Sequence, residues 1–235
     1  RRQIGFLPEN FRYYEWLSGQ ELLEYHAGLY GMDKQAARRR MPEVLELVNL
    51  SGAEKKRVGA YSKGMQQRIG MAIALLPDPR LVFLDEPTSA LDPLGRREVR
   101  EILQQLQQAG KTVFLNSHLL SEVEMICDQI AIINRGQVVA CEPTTTLLRR
   151  MDTRNVIVTP AEPVAAAPQL EGFETRSRAG GAFAVTYRTG ESSVEQVLAA
   201  VRASGLHIKD IATEDPDLED IFVALTYAAP EAAEV

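Results

Sequence analysis

The 235 residues contain only two cysteines, Cys127 and Cys141. Neither a C-x-x-C spacing nor the count of a disulfide framework is present, so both read as reduced thiols of a cytosolic protein, and no zinc site is expected. Long apolar runs are also missing. The longest, Met71 to Leu76, is far short of the roughly 20 residues that a membrane span needs, and no charged-then-apolar signal segment opens the chain. Any role at a membrane must therefore come through a partner. Basic residues are scarce towards the end: residues 151–235 hold 6 Lys and Arg against 14 Asp and Glu, whereas residues 1–150 hold 20 against 18. Because phosphate neutralisation by Lys and Arg supplies most non-specific nucleic-acid binding, a tail of net charge −8 argues against such a partner.

What is present suffices for a sizeable core, with 45% hydrophobic and 25% charged residues, enough for one large domain or one and a half. Ser18-Gly19-Gln20-Glu21 has the spacing of a capping box and predicts a helix to about Tyr30. "KQAARRRMPEVLELVNL" continues as helix, with Pro42 expected to end one helix and start the next. Ile69, Ala72, Ile73 and Leu76 then fall on one face of a helix that Pro77 stops. "LVFL" (81–84) reads as a short strand buried on both faces.

Asp92-Pro93 is an N-cap followed by proline at the first helical turn, and Val99, Ile102, Leu103 and Leu106 form that helix's buried stripe up to Gly110. "TVFL" (112–115) reads as a second buried strand. A helix through "LLSEVEMIC" follows, then two strands around Asn134-Arg135-Gly136. This alternation predicts an α/β fold with a parallel sheet that finishes in a hairpin. A boundary near Met151 is marked by the charge shift and by "TPAEPVAAAPQ". Beyond it, "RNVIVTP", "AFAVTYR" and "LHIKDIAT" read as strands, and "SVEQVLAAVRAS" and "DLEDIFVALT" as helices, of a small α+β domain.

The chemistry is concentrated in four short stretches. Asp85-Glu86 ends a strand at the carboxyl edge of a parallel sheet, where open α/β sheets bind ligands. Alone, "LVFLDE" could be an ordinary strand running into a turn. "YSKGMQQR" (61–68) puts a serine and a glycine at a helix start, where N–H groups favour an anion; alone, it is an N-cap. His118 directly follows the second strand and reaches the same edge if the strands are neighbours. Asp92 alone is explained by capping.

Taken in order and spacing, these stretches resemble the ATP-binding cassette (ABC) ATPases: "YSKGM" is similar to the signature, "LVFLDE" to Walker B, "SALD" to the D-loop and "NSH" to the switch histidine. The resemblance covers residues 1 to about 141. It extends to exporter-type subunits for drug or ion extrusion, and "DPDLEDIFVALT" resembles the end of their accessory C-terminal domain. It implies an α/β partial P-loop NTPase over residues 1–150, with a mainly helical subdomain at about 10–60, and a small acidic α+β accessory domain over 151–235. ATP and Mg²⁺ are the implied ligands. By resemblance, Asp85 holds Mg²⁺, Glu86 polarises the attacking water and His118 contacts the γ-phosphate. Ser62, Lys63, Gly64 and Met65 face the ATP of a second protomer in a head-to-tail dimer, and Asp92 connects the two sites. These roles suit phosphoryl transfer, in which catalysis is mostly positioning and charge stabilisation. A transmembrane permease subunit is the implied partner, holding the chain at the inner face of the cell membrane.

Three departures from the family pattern stand out. Lys63 and Met65 differ from the commonest signature, L-S-G-G-Q. Glu9 of "IGFLPEN" stands where a glutamine usually meets Mg²⁺, although a carboxylate can also coordinate that metal. Nowhere is there a G-x-x-x-x-G-K-[ST]. Gly110-Lys111-Thr112 is a decoy, with Gln105 in place of the first glycine and a helix-to-strand direction opposite to that of a phosphate loop. The expectation is a chain that begins partway through the domain and binds ATP poorly by itself. The alternative is a non-enzymatic regulatory or interaction protein, against which Glu86 and His118 both speak. An ABC-type ATPase acting on ribosomes or DNA is disfavoured by the single cassette, the lack of a basic linker and the acidic tail.

Overall fold

The structure, a computed structural model, describes residues 3–89, 91–151 and 153–227. Ala90 of "SALD", Asp152 and residues 228–235 of the expected accessory domain lie outside the described residues. The chain divides into two compact units, Arg1–Cys127 and Asp128–Val235.

In the first unit, three strands, β1 (Ile4–Leu7), β2 (Leu81–Asp85) and β3 (Thr112–Asn116), form a parallel sheet in the order β1-β2-β3. The register pairs Leu7 with Leu84, and Asp85 with Asn116. Between β1 and β2 come three helices: α1 (Gly19–Leu29), α2 (Lys34–Leu47) and α3 (Lys63–Leu75). Ser18 caps α1 in the reciprocal manner its sequence predicts, its hydroxyl accepting the Glu21 amide while the Glu21 carboxylate accepts the Ser18 amide. Two further helices, α4 (Pro93–Gln108) and α5 (Leu120–Ile126), flank β3 in sequence.

Two expectations for this unit are corrected. Pro42 does not divide a helix, because α2 runs through it. The buried stripe Ala37, Met41, Val44 and Leu45 continues across the proline, and its packing outweighs a local cost of about 3 kcal/mol. Nor are the two strands buried as expected: in β3, Thr112, Phe114 and Asn116 are exposed and Val113 and Leu115 half-buried, and β2 is not buried on both faces. Val82 and Leu84 are buried, whereas Leu81, Phe83 and Asp85 are half-exposed. On that second face Phe6, Phe83 and Phe114 stand in register across the three strands, and Phe6 and Phe114 are exposed.

α3 is the centre of the unit's core, with Ile69, Met71, Ala72, Ala74 and Leu75 all buried. It lies so close to β1 that a Cβ built on Gly5 would stand 2.3 Å from the Ala74 carbonyl oxygen. The turn after α3 is pinned by Asp78, which holds a left-handed φ of +55°. Its carboxylate accepts from Lys111 Nζ at 2.7 Å and from Arg40 at 3.2 Å. The Lys111 hydrogen bond, aided by the charge of Arg40 and opposed by partial burial, holds the Asp78 carboxyl below the usual carboxylate range. A depressed folded value means stability present above the unfolded value, near pH 4, and lost as pH falls through the folded value. Asp78→Asn tolerates the left-handed backbone and is expected to lower stability at pH 7 by about 0.5–1 kcal/mol, the range of solvent-screened pairs. Melting curves should show that deficit closing below about pH 4; a deficit that persists there would assign the effect to packing rather than charge.

Lys111 also settles the decoy. Gly110, at φ +72°, ends α4, and the Lys111 amide returns to the Leu106 carbonyl, a helix-closing turn. The Lys111 ammonium is spent on Asp78 and the Pro79 carbonyl.

The second unit holds the hairpin β4 (Gln129–Asn134) and β5 (Gln137–Pro143), whose turn residues Arg135 and Gly136 both have positive φ, as a two-residue primed turn requires. This hairpin is its own two-stranded sheet rather than the end of the parallel one. Helix α6 (Thr144–Leu148) follows it. A four-stranded antiparallel sheet, ordered β7-β8-β6-β9, is built from β6 (Thr153–Pro160), β7 (Glu174–Ser177), β8 (Phe183–Arg188) and β9 (Ile208–Glu214). The short β7 carries no strand signal in its Glu-Thr-Arg-Ser sequence. Helix α7 (Val194–Ala203) packs Val197 and Val201 into a core with Val156, Val158, Phe183 and Val185. Helix α8 (Leu218–Tyr227) completes the unit, with Leu218 and Ile221 buried.

Candidate functional site

Parallel pairing delivers the ends of three strands to one edge, and with them four of the nine residues singled out in the sequence. Asp85 is the last residue of β2, and Glu86 follows it. His118 lies two residues beyond β3, the strand that pairs with β2. Glu9 lies two residues beyond β1, the strand on the other side of β2, and is exposed.

Glu86 is the best-defined group at this edge. Its backbone is left-handed, at φ +49°, a conformation that costs a residue other than glycine about 1 kcal/mol. Three contacts hold it there. Its amide donates to the Asn116 carbonyl at 2.9 Å, and its own carbonyl accepts from the Ser89 hydroxyl at 3.2 Å. Its Oε1 accepts from the His118 amide at 2.9 Å and faces His118 Nδ1 at 2.8 Å. Two acceptors would not approach so closely, so Nδ1 carries a proton and Nε2 is the nitrogen on the far side of the ring. Glu86 is only 13% exposed against 67% for His118. The second carboxylate oxygen, Oε2, is buried and has no hydrogen-bond partner among the described residues. A buried, charged oxygen without a donor is expensive, so this atom marks a place where a polar group belongs.

Asp85 is held differently, by Asn116 Nδ2 donating to its Oδ1 at 2.7 Å. Asn116 was not among the residues chosen from the sequence. Its signal was a polar residue ending an otherwise apolar strand beside a strand that ends in acids. Among the described residues no group of three His, Cys, Asp or Glu side chains forms a metal cage. Asp85 and Glu9 instead offer the one or two hard carboxylates with which Mg²⁺ is bound when phosphate oxygens complete its shell. The donor set therefore fits Mg²⁺ arriving with a nucleotide.

The signature-like residues lie elsewhere. Ser62 caps α3, its hydroxyl accepting the Met65 amide at 3.2 Å, and Lys63 opens that helix exposed to solvent. Among the described residues, no hydrogen bond joins residues 62–65 to Asp85, Glu86 or His118. Gly64 does lie beside the segment before α4, because a Cβ there would sit 3.6 Å from Leu91 Cδ2. Asp92 caps α4 by accepting the Gly95 amide at 2.9 Å. Arg68 ties these two helix starts together, accepted by the Gly64 carbonyl, the Asn49 carbonyl and Glu98 on α4. An open groove of about 360 Å³, lined by Phe11, Arg12, Tyr13, Glu15, Val58 and Gln66, contains none of the residues chosen from the sequence.

Known proteins are similar to this chain. The sequence profile of the family described as "ABC transporter" matches residues 1–89. The chain is 52% identical over 158 residues to an uncharacterised ABC transporter ATP-binding protein of Nostoc sp., covering 66% of this chain and 47% of that protein. It is 33% identical over 234 residues to a daunorubicin resistance ATP-binding protein of Streptomyces coeruleorubidus, covering 96% and 73%. A solved structure described as the ATP binding subunit of an ABC transporter matches with a TM-score of 0.56 and 31% identity, over 64% of this chain and 62% of that one. The chain thus spans about half the length of the Nostoc relative.

Proposed function

The chain belongs to the ABC transporter ATP-binding family, and on that premise we propose that it is part of the ATP-hydrolysing subunit of an exporter, driving a separate transmembrane permease. The observation that carries this reading is Glu86: one oxygen is fixed by His118, and the other is buried and unsatisfied at the carboxyl edge of a parallel sheet. Glu86 would polarise the water that attacks the γ-phosphate of ATP, and His118 would contact the same phosphate. Asp85, together with Glu9 beyond the end of the neighbouring strand, would hold Mg²⁺, which neutralises phosphate charge when bound.

That no hydrogen bond joins residues 62–65 to this edge among the described residues agrees with a head-to-tail arrangement. In it, Ser62, Lys63, Gly64 and Met65 serve the ATP of a second protomer, and Asp92 stands between the sites. Residues 1–150 are assigned to the ATPase and 151–235 to the accessory domain. Among the described residues no helix is long and apolar enough to cross a membrane; attachment at the inner face of the membrane comes through the permease. The daunorubicin resistance relative favours a small-molecule cargo.

The 235 residues include no G-x-x-x-x-G-K-[ST], so the chain alone should bind ATP only weakly, in the millimolar range of order. Calorimetric titration checks this, and micromolar affinity would overturn it. Hydrolysis is tested in protein that carries a phosphate loop, reconstituted with its permease. ATP turnover stimulated by the permease supports the transport reading, and nucleotide binding without turnover favours a regulatory protein.

A further inference from the structure

Asn116 touches both acids of the site at once, through different parts of itself. Its carbonyl accepts the Glu86 amide at 2.9 Å, while its side-chain amide donates to Asp85 Oδ1 at 2.7 Å. It is also the last register partner of Asp85 in the sheet. We propose that Asn116 is a positioning residue for the cation-binding carboxylate, fixing the rotation of Asp85 while its backbone helps hold Glu86 in the left-handed turn. This rests on the assignment of Asp85 to a divalent cation.

The chemistry of the amide suits that task. At 2.7 Å from a carboxylate oxygen only the NH₂ end of the asparagine can face Asp85, since its carbonyl end would set acceptor against acceptor. A neutral donor takes one oxygen of Asp85 and stops the carboxylate from rotating, but leaves its full negative charge for a cation. A lysine or arginine at the same place would hold the carboxylate equally well and compete with the metal for that charge. Groups that orient a metal-binding carboxylate in this way affect affinity without touching the metal. Asn116 is exposed, so removing its side chain opens no cavity in the core. The backbone bond to Glu86 is accepted by the main-chain carbonyl of residue 116, which every side-chain substitution retains, so the two contributions can be separated.

The test uses the full 235-residue chain, isotopically labelled, with Mn²⁺ as the probe. In the wild type, millimolar Mn²⁺ should broaden the amide signals of Asp85 and Glu86 saturably. Asn116→Leu, close in shape but without a donor, and Asn116→Ala should both weaken the apparent Mn²⁺ affinity about ten-fold at an unchanged melting temperature. Equal affinity in the variants and the wild type would overturn the proposal while leaving Asp85 as the cation's ligand. Weakening that appears only with a lower melting temperature would show a structural rather than a positioning role, and would overturn it too. A wild type in which Mn²⁺ leaves Asp85 and Glu86 unbroadened would overturn the proposal, because Asp85 would then not be held ready for a cation by the chain itself, without touching the reading of Asp85 in the nucleotide-bound site.

Discussion

Glu86→Gln should lower ATP turnover by at least about 100-fold, the contribution of a well-placed general base, in protein able to bind the nucleotide. The substitution is nearly isosteric. An amide oxygen still accepts from the His118 amide and from Nδ1, the two donors that Oε1 now receives. The turn at φ +49° depends on backbone contacts that the substitution leaves alone. What is lost is the charge and basicity of the carboxylate, whose Oε2 has no partner among the described residues. Binding should therefore survive and the chemical step should fail, so ATP-bound head-to-tail dimers should accumulate. Steady-state hydrolysis and size-exclusion chromatography in the presence of Mg²⁺-ATP measure the two effects. Unchanged hydrolysis would remove Glu86 from its role; lost hydrolysis without dimers would leave that role and remove the head-to-tail arrangement.

Gly5→Ala should destabilise the first unit by about 3 kcal/mol, at the upper end of what overpacking a core costs. A single methyl group would lie 2.3 Å from the Ala74 carbonyl oxygen and 3.1 Å from Pro79 Cγ. The first of these is main chain in a buried helix and cannot rotate away, so β1 and α3 must move apart. Because α3 fills the core and β1 is paired along its length with β2, the damage reaches the strand that ends in Asp85. A drop of roughly 10 °C in melting temperature is expected for a unit of this size. Gly28→Ala is the control: Gly28 lies on α1, and a Cβ there meets nothing within 4 Å. That change should be neutral or stabilising by about 0.5–1 kcal/mol, because alanine suits a helix better. Similar melting curves for the two variants would show that β1 is not closely packed on α3.

Features set by neighbours in the chain were readable in advance. The Ser18–Glu21 capping box, the Ser62 and Asp92 caps and the turn at Arg135-Gly136 all depend on contacts within a few residues. Features set by packing were not. Pro42 reads as a helix end because a local rule says so, yet α2 continues because its buried stripe does. Gly5 carries no turn signal; its reason is the approach of a helix 69 positions later in the chain.

The same division runs through the site. Composition, spacing and order in the sequence determined the α/β class, the acid pair at the end of a strand, and the family resemblance, because those motifs are short and contiguous. Only the tertiary structure decided that Asp85 meets Asn116 and that Glu86 meets His118, contacts that span 31 and 32 residues. It also decided that one oxygen of Glu86 is held while the other is buried without a donor among the described residues. The physical reason is parallel pairing: neighbouring parallel strands are joined by long crossovers, so the groups that share their carboxyl edge are necessarily far apart in the chain.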